Sequence, residues 1–120
     1  VVTQEWGHGL IRSWNSAGWF DAPRRAGDKI ARLVGASPNE VVATDSTSIN
    51  LFKVLSAALN MAREDAPQRN TLVSERSNFP TDLYIAEALC RERGFTLKLV
   101  EPEEVAGSLT ANVAVLMLTM

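Results

Sequence analysis

The chain has 120 residues, 46% hydrophobic and 22% charged, with a formal charge of −2 and a single cysteine, Cys90. Average hydrophobicity and charge exclude global disorder, no apolar run reaches the roughly 18 residues of a membrane span, and the near-neutral balance gives no electrostatic reason to expect nucleic acid or an anionic membrane as partner. One cysteine excludes a disulfide framework and fits a reducing compartment, so a cytoplasmic location is expected.

Thr3 to Phe20 carries all three tryptophans, Trp6, Trp14 and Trp19, and the only histidine, His8. Glycines at 7, 9 and 18 interrupt the pattern, so a short helix over Gln4 to Arg12 and then a loop are predicted. Pro23 suits the first turn of a helix. Ile30, Leu33 and Val34 keep helical spacing up to Gly35, which ends that helix. Glu40-Val41-Val42-Ala43-Thr44 is short, β-branched and apolar, which predicts a buried strand. A helix follows at once, with Leu51, Phe52, Leu55, Leu59 and Ala62 on one face and Pro67 as its stop. Thr71 to Glu75 reads as a second strand, and Asn78 to Asp82 as a loop that opens the next helix. Leu83, Ala86, Leu89 and Cys90 form that helix's apolar face, closed by Gly94. Thr96 to Val100 is a third strand. Pro102 to Leu109 reads as a short helix whose Glu101, Glu103 and Glu104 suit an N-terminus. Asn112 to Thr119 is a fourth strand, apolar on both faces.

This alternation predicts the α/β class: a mainly parallel sheet with flanking helices, preceded by an N-terminal segment of helix and loop. The expected division is an N-terminal segment over 1–22 and a larger domain over 23–120. The chain opens on Val1-Val2-Thr3 without a start methionine and stops at Met120, at the end of its most apolar run. A piece of a longer domain is therefore expected.

Ligands of parallel sheets collect at the carboxyl ends of the strands. Asp45-Ser46-Thr47-Ser48 stands at one such end and opens a helix, whose free N–H groups and partial positive charge attract anions. Hydroxyls at 46, 47 and 48 add donors for a phosphate. The same residue types are the preferred helix caps, so capping remains an alternative. Neither G-x-x-x-x-G-K-[ST] nor G-x-G-x-x-G is present. At the next strand end, Phe79-Pro80-Thr81-Asp82 sets a ring, a rigid proline and a carboxylate side by side. A phenyl ring can stack on a planar heterocycle and a carboxylate can pair with a protonated ring nitrogen. A hydrophobic anchor with a helix-starting Asp is the alternative there.

Leu33-Val34-Gly35-Ala36, Thr44 to Phe52 and Ser77 to Tyr84 together resemble the kynureninases, a family of fold-type-I pyridoxal-phosphate enzymes. Trp6-Gly7-His8-Gly9 and Ser13-Trp14-Asn15 resemble the region upstream of that family's cofactor domain. The resemblance runs along nearly the whole chain in the same order. It implies part of a fold-type-I large domain with pyridoxal 5'-phosphate as cofactor. By the same resemblance Thr47 and Ser48 bind the phosphate, and Phe79, Pro80, Thr81 and Asp82 lie against the cofactor. Phe79 would stack on its ring, and Asp82 would sit near the ring nitrogen. His8 and Trp14 match positions lining the substrate pocket, reaching a neighbouring subunit's site in a homodimer. The implied reaction is hydrolysis of L-kynurenine, or 3-hydroxykynurenine, to anthranilate, or 3-hydroxyanthranilate, and L-alanine in tryptophan catabolism. Other enzymes of the same fold type, such as cysteine desulfurases or aminotransferases, and a non-catalytic α/β interaction module are the competing readings.

The resemblance also implies a cofactor lysine, and none of Lys29, Lys53 and Lys98 sits in a matching motif. No catalytic residue is therefore expected in this chain. Metal ligands are not expected either. Cys90 is expected to be an inert core thiol, Trp19 to serve packing, and Arg24-Arg25 and Arg91-Glu92-Arg93 to form solvated faces.

Overall fold

The computed structural model describes residues 1–119. The chain forms two compact units, Val1–Asp45 and Ser46–Met120.

The second unit holds a three-stranded, wholly parallel sheet with flanking helices, the expected α/β class. Its strands are β1 (Thr71–Glu75), β2 (Thr96–Val100) and β3 (Val113–Met117), in the order β2-β1-β3. Thr71 pairs with Thr96 and Glu75 with Val100, so β1 and β2 are in register throughout. On the other side the register slips between Thr71 and Leu72, after which Leu72 pairs with Val115. As the central strand, β1 buries Leu72, Val73 and Ser74, which is why its sequence is apolar on both faces.

Two long helices, α3 (Thr47–Asp65) and α4 (Pro80–Arg93), pack on each other; α3 also reaches β3 and α4 reaches β2. They close one core of Leu55, Leu59, Leu72, Ala86, Leu89, Cys90 and Met117. Each fully buried leucine of this set contributes roughly 1.5–3 kcal/mol. Gly94 takes φ 73 to end α4, a left-handed turn that costs a side chain energy. One of the charged residues expected in solvent is instead structural. Arg93 donates to the Ser56 carbonyl at 2.7 Å and to Asn60 Oδ1 at 2.8 Å, tying the end of α4 to α3. Arg63 donates to the Arg93 carbonyl and lies 5.8 Å from the Phe95 ring centre. The acidic segment resolves into a 3-10 turn, Pro102–Glu104, and α5 (Val105–Ser108), with Glu101 and Glu104 forming a capping box.

The first unit is built differently. Val2–Gly9 is a π-helix and Leu10–Arg12 a 3-10 turn, so the helix expected over Gln4 to Arg12 is present in looser and tighter windings rather than as one α-helix. Next come α1 (Ser13–Ser16) and α2 (Ala22–Val34). Ser13 Oγ donates to the Glu5 carbonyl at 2.6 Å, and Trp19 Nε1 to Glu5 Oε2 at 2.9 Å. Trp6 stacks on Trp19 at 5.4 Å, which gives Trp19 the packing role expected of it. The apolar spacing of α2 does not mark its buried face. Ile30, Leu33 and Val34 are exposed, while Gly27 and Ala31 are buried.

Residues 40–44 are not a strand, so the sheet has three strands among the described residues rather than four. The segment lies against α2 instead. A Cβ on Gly27 would stand 2.0 Å from the Val41 carbonyl oxygen, and the Ala43 N–H donates to the Pro23 carbonyl at 3.2 Å. The β-branched run satisfies its backbone on a helix with a missing side chain, not on a ladder.

Candidate functional site

In the second unit the carboxyl ends of β1 and β3 meet the N-termini of α3 and α4. Ser46 caps α3 by accepting the Ile49 N–H on its hydroxyl at 3.4 Å, which leaves Thr47 and Ser48 as the first helical residues. Their hydroxyls make no hydrogen bond among the described residues, and their N–H groups belong to the turn that has no intrahelical acceptor. Phe79 takes the corresponding position before α4. Its φ of −53° and ψ of 129° are the extended conformation that a following proline enforces. Pro80 opens α4 without needing a partner for an N–H, and Asp82 places a carboxylate in the first turn, where the helix dipole favours it.

These elements enclose a cavity of about 510 Å³ lined by Thr47, Ser48, Leu51, Phe79, Thr81, Asp82, Leu118 and Thr119. Its size falls within the roughly 300–1,000 Å³ usual for small-molecule sites. Five of the six residues assigned to the cofactor by resemblance therefore share one cavity; Pro80, the first residue of α4, is not among those lining it. Phe79 is 66% exposed, a large apolar residue open to solvent at the mouth of the cavity it lines. Neither Lys53 nor Lys98, the two lysines of this unit, lines the cavity.

Sequence reasoning missed the supports of this site. Spacing marks Leu51 only as a core position and Leu118 and Thr119 only as strand, yet β3 ends at Met117 and all three line the cavity. Beneath them Ser74 and Asn78 are buried and hydrogen-bonded to each other, with Asn78 Nδ2 donating to Ser74 Oγ at 3.1 Å. A serine inside the apolar run Thr71 to Glu75 and an asparagine one residue before a helix cap were the available signals. The isolated polar residue in a central strand demands a partner.

His8 and Trp14 belong to the first unit. His8 is exposed on the π-helix, and Trp14 lies 6.1 Å from Phe20. Trp14 also lines a small cavity of about 220 Å³ with Trp6, Leu10, Ile11 and Trp19. The described residues contain no cluster able to hold a metal ion and no helix long and apolar enough to cross a membrane.

No family model matches the chain. Among characterised proteins it is 57% identical to a kynureninase of Pseudomonas fluorescens, over 99% of this chain and 29% of that protein. By sequence, the chain is a kynureninase-like segment. Kynureninases of Burkholderia mallei and Burkholderia pseudomallei match at 52% identity over the same 99% of the chain. The chain spans 29% of the length of these relatives. Coverage of the whole chain at this identity favours a kynureninase over the other enzymes of the fold type and over a non-catalytic module. The donors of the cavity fit a phosphorylated aromatic ring. The α3 N-terminus and two unpaired hydroxyls suit the dianion, and the exposed phenylalanine suits a planar ring.

Proposed function

We propose that this chain supplies the phosphate-and-ring half of a pyridoxal 5'-phosphate site in a kynureninase. The enzyme would hydrolyse L-kynurenine, or 3-hydroxykynurenine, to anthranilate, or 3-hydroxyanthranilate, and L-alanine. The observation that carries this reading is the convergence of Thr47, Ser48, Phe79, Thr81 and Asp82 on one cavity, in a chain 57% identical to a kynureninase.

In this reading Thr47 and Ser48 hold the phosphate through hydroxyls and backbone N–H groups at the positive end of α3. Phe79 covers one face of the ring and fixes its plane. Asp82 stands near the ring nitrogen and helps set its charge, while the aspartate that pairs with that nitrogen is assigned to no residue of this chain. The cofactor, when bound, supplies an electron sink for cleavage of the carbon–carbon bond. Thr81 and Pro80 set the start of α4, so that ring and carboxylate stay in fixed relation. His8 and Trp14 serve recognition of the aromatic substrate, across the interface of a homodimer, and residues 1–22 act as the substrate-side segment. The lysine that joins the cofactor is assigned to no residue of this chain. The lone buried Cys90 is in keeping with a cytoplasmic enzyme.

The test is a graft. Pseudomonas fluorescens kynureninase is made with its matching stretch replaced by this chain, and anthranilate release from L-kynurenine is followed. The hybrid is expected to bind pyridoxal phosphate and release anthranilate, while the 120-residue chain alone releases none. A folded hybrid that binds no pyridoxal phosphate would contradict the reading, as would anthranilate release by the chain alone.

A further inference from the structure

The ring of Phe79 has little side-chain packing to hold it, yet a ring that covers a ligand must be held. Its backbone is held from two sides. The Phe79 carbonyl accepts the N–H groups of Asp82 at 3.0 Å and Leu83 at 3.1 Å. Its own N–H donates to Asn78 Oδ1 at 2.7 Å. That same oxygen accepts the hydroxyl of Thr119, which also lines the cavity, beyond β3. The other end of the Asn78 amide is fixed as well. Nδ2 donates to Ser74 Oγ at 3.1 Å, and Ser74 Oγ donates to the Met117 carbonyl at 2.9 Å. Ser74 is fully buried and Asn78 is 5% exposed, so water cannot substitute for these bonds. One side-chain amide thus joins the central strand, the segment just after β3 and the start of α4.

We propose that Asn78, anchored by Ser74, is a positioning residue that sets the Phe79 ring and the Thr119 wall of the cofactor cavity. The proposal rests on the reading of that cavity as a pyridoxal-phosphate site. Asn78 touches no ligand; it acts through the two walls it links. Ser74 lies one step further back and lines no part of the cavity, so any effect of Ser74 on the ligand passes through Asn78.

The experiment uses the grafted kynureninase loaded with pyridoxal phosphate. Its dissociation constant and the circular dichroism of the bound cofactor are measured well below each variant's unfolding midpoint. Asn78→Ala is expected to weaken cofactor binding about tenfold and to reduce the cofactor's dichroic band, which reports a fixed ring orientation. Ser74→Ala is expected to move both in the same direction by about threefold. Adding Asn78→Ala to Phe79→Ala is expected to weaken binding by clearly less than about tenfold, because the part of the Asn78 effect that passes through Phe79 is already lost. A merely structural role lowers the unfolding midpoint and leaves affinity and dichroism unchanged. That result in Asn78→Ala overturns the proposal, and in Ser74→Ala it does so if Asn78→Ala does not fold. Should Phe79→Ala, Thr47→Ala and Ser48→Ala all bind like the parent, the cofactor reading itself falls. Should they weaken binding while Asn78→Ala and Ser74→Ala do not, only the positioning role falls.

Discussion

Residues 46–119 gather seven apolar side chains into one buried cluster, whereas Ala31 is the one fully buried hydrophobic residue described in the unit over 1–45. The first unit is instead held by local polar bonds around Glu5, a stack of two tryptophans, and a close backbone approach at Gly27. It leaves Trp6, Leu10, Ile11, Phe20, Leu33 and Val34 in solvent. The difference teaches where site geometry can be rigid. Helix starts anchored on a packed parallel sheet fix Thr47, Ser48 and Phe79, while His8 and Trp14 stand on a frame with little core of its own.

The largest expected break in this contrast comes from cutting the same side chain in each unit. Leu59→Ala should cost about 2–5 kcal/mol in urea unfolding, since the site is fully closed and cannot collapse around the void. Leu33→Ala, 86% exposed, should stay within about 0.5 kcal/mol. Equal losses would mean that α2 is packed as tightly as α3. Amide exchange sharpens the same point without mutation. The N–H groups of Leu72, Val73 and Ser74 should exchange only on global opening, and those of residues 2–12 should exchange far sooner by local opening. Uniform protection would erase the distinction.

A smaller effect follows from Cys90. Burial pushes its thiol above the ordinary range, because the thiolate is costly in the core. The unfolded thiol ionises near pH 8.5, so the native state gains from Cys90 fully below that pH and loses the gain as pH rises towards the folded value. Stability of the parent should therefore fall faster above pH 8.5 than that of Cys90→Ala. Parallel pH profiles would contradict this. The smallest expected effect is at the surface: Arg76→Ala breaks the 3.0 Å pair with Glu101, and the unfolding free energy should fall by less than about 1 kcal/mol in urea titration.

Much of the second unit was legible because its signals are local. Pro80 and Gly94 bracket α4, and apolar spacing from Leu51 to Ala62 marks the face of α3 that is wholly or partly buried, apart from Phe52. Residues 40–44 show the limit. A β-branched run states that the backbone is extended and says nothing of what pairs with it; Gly27, distant in sequence, decides that. The site divides in the same way. Thr47, Ser48 and the Phe79-to-Asp82 stretch announce helix starts. Phe79 to Asp82 follow the end of β1, whereas among the described residues no strand precedes α3, and its packing on α4 and β3 brings Thr47 and Ser48 to the same place. The link from Ser74 through Asn78 to Thr119 joins residues more than 40 apart, and no local pattern encodes that pairing.

The central claim is that the start of α3 holds a cofactor phosphate. It is tested most directly by titrating pyridoxal phosphate into the grafted kynureninase bearing Thr47→Ala/Ser48→Ala and reading cofactor fluorescence. Each hydroxyl lost from a charged acceptor is expected to cost about 1.5–3 kcal/mol, so the double variant should bind at least about 100-fold more weakly than its parent. A folded double variant with the parent's dissociation constant would contradict the account.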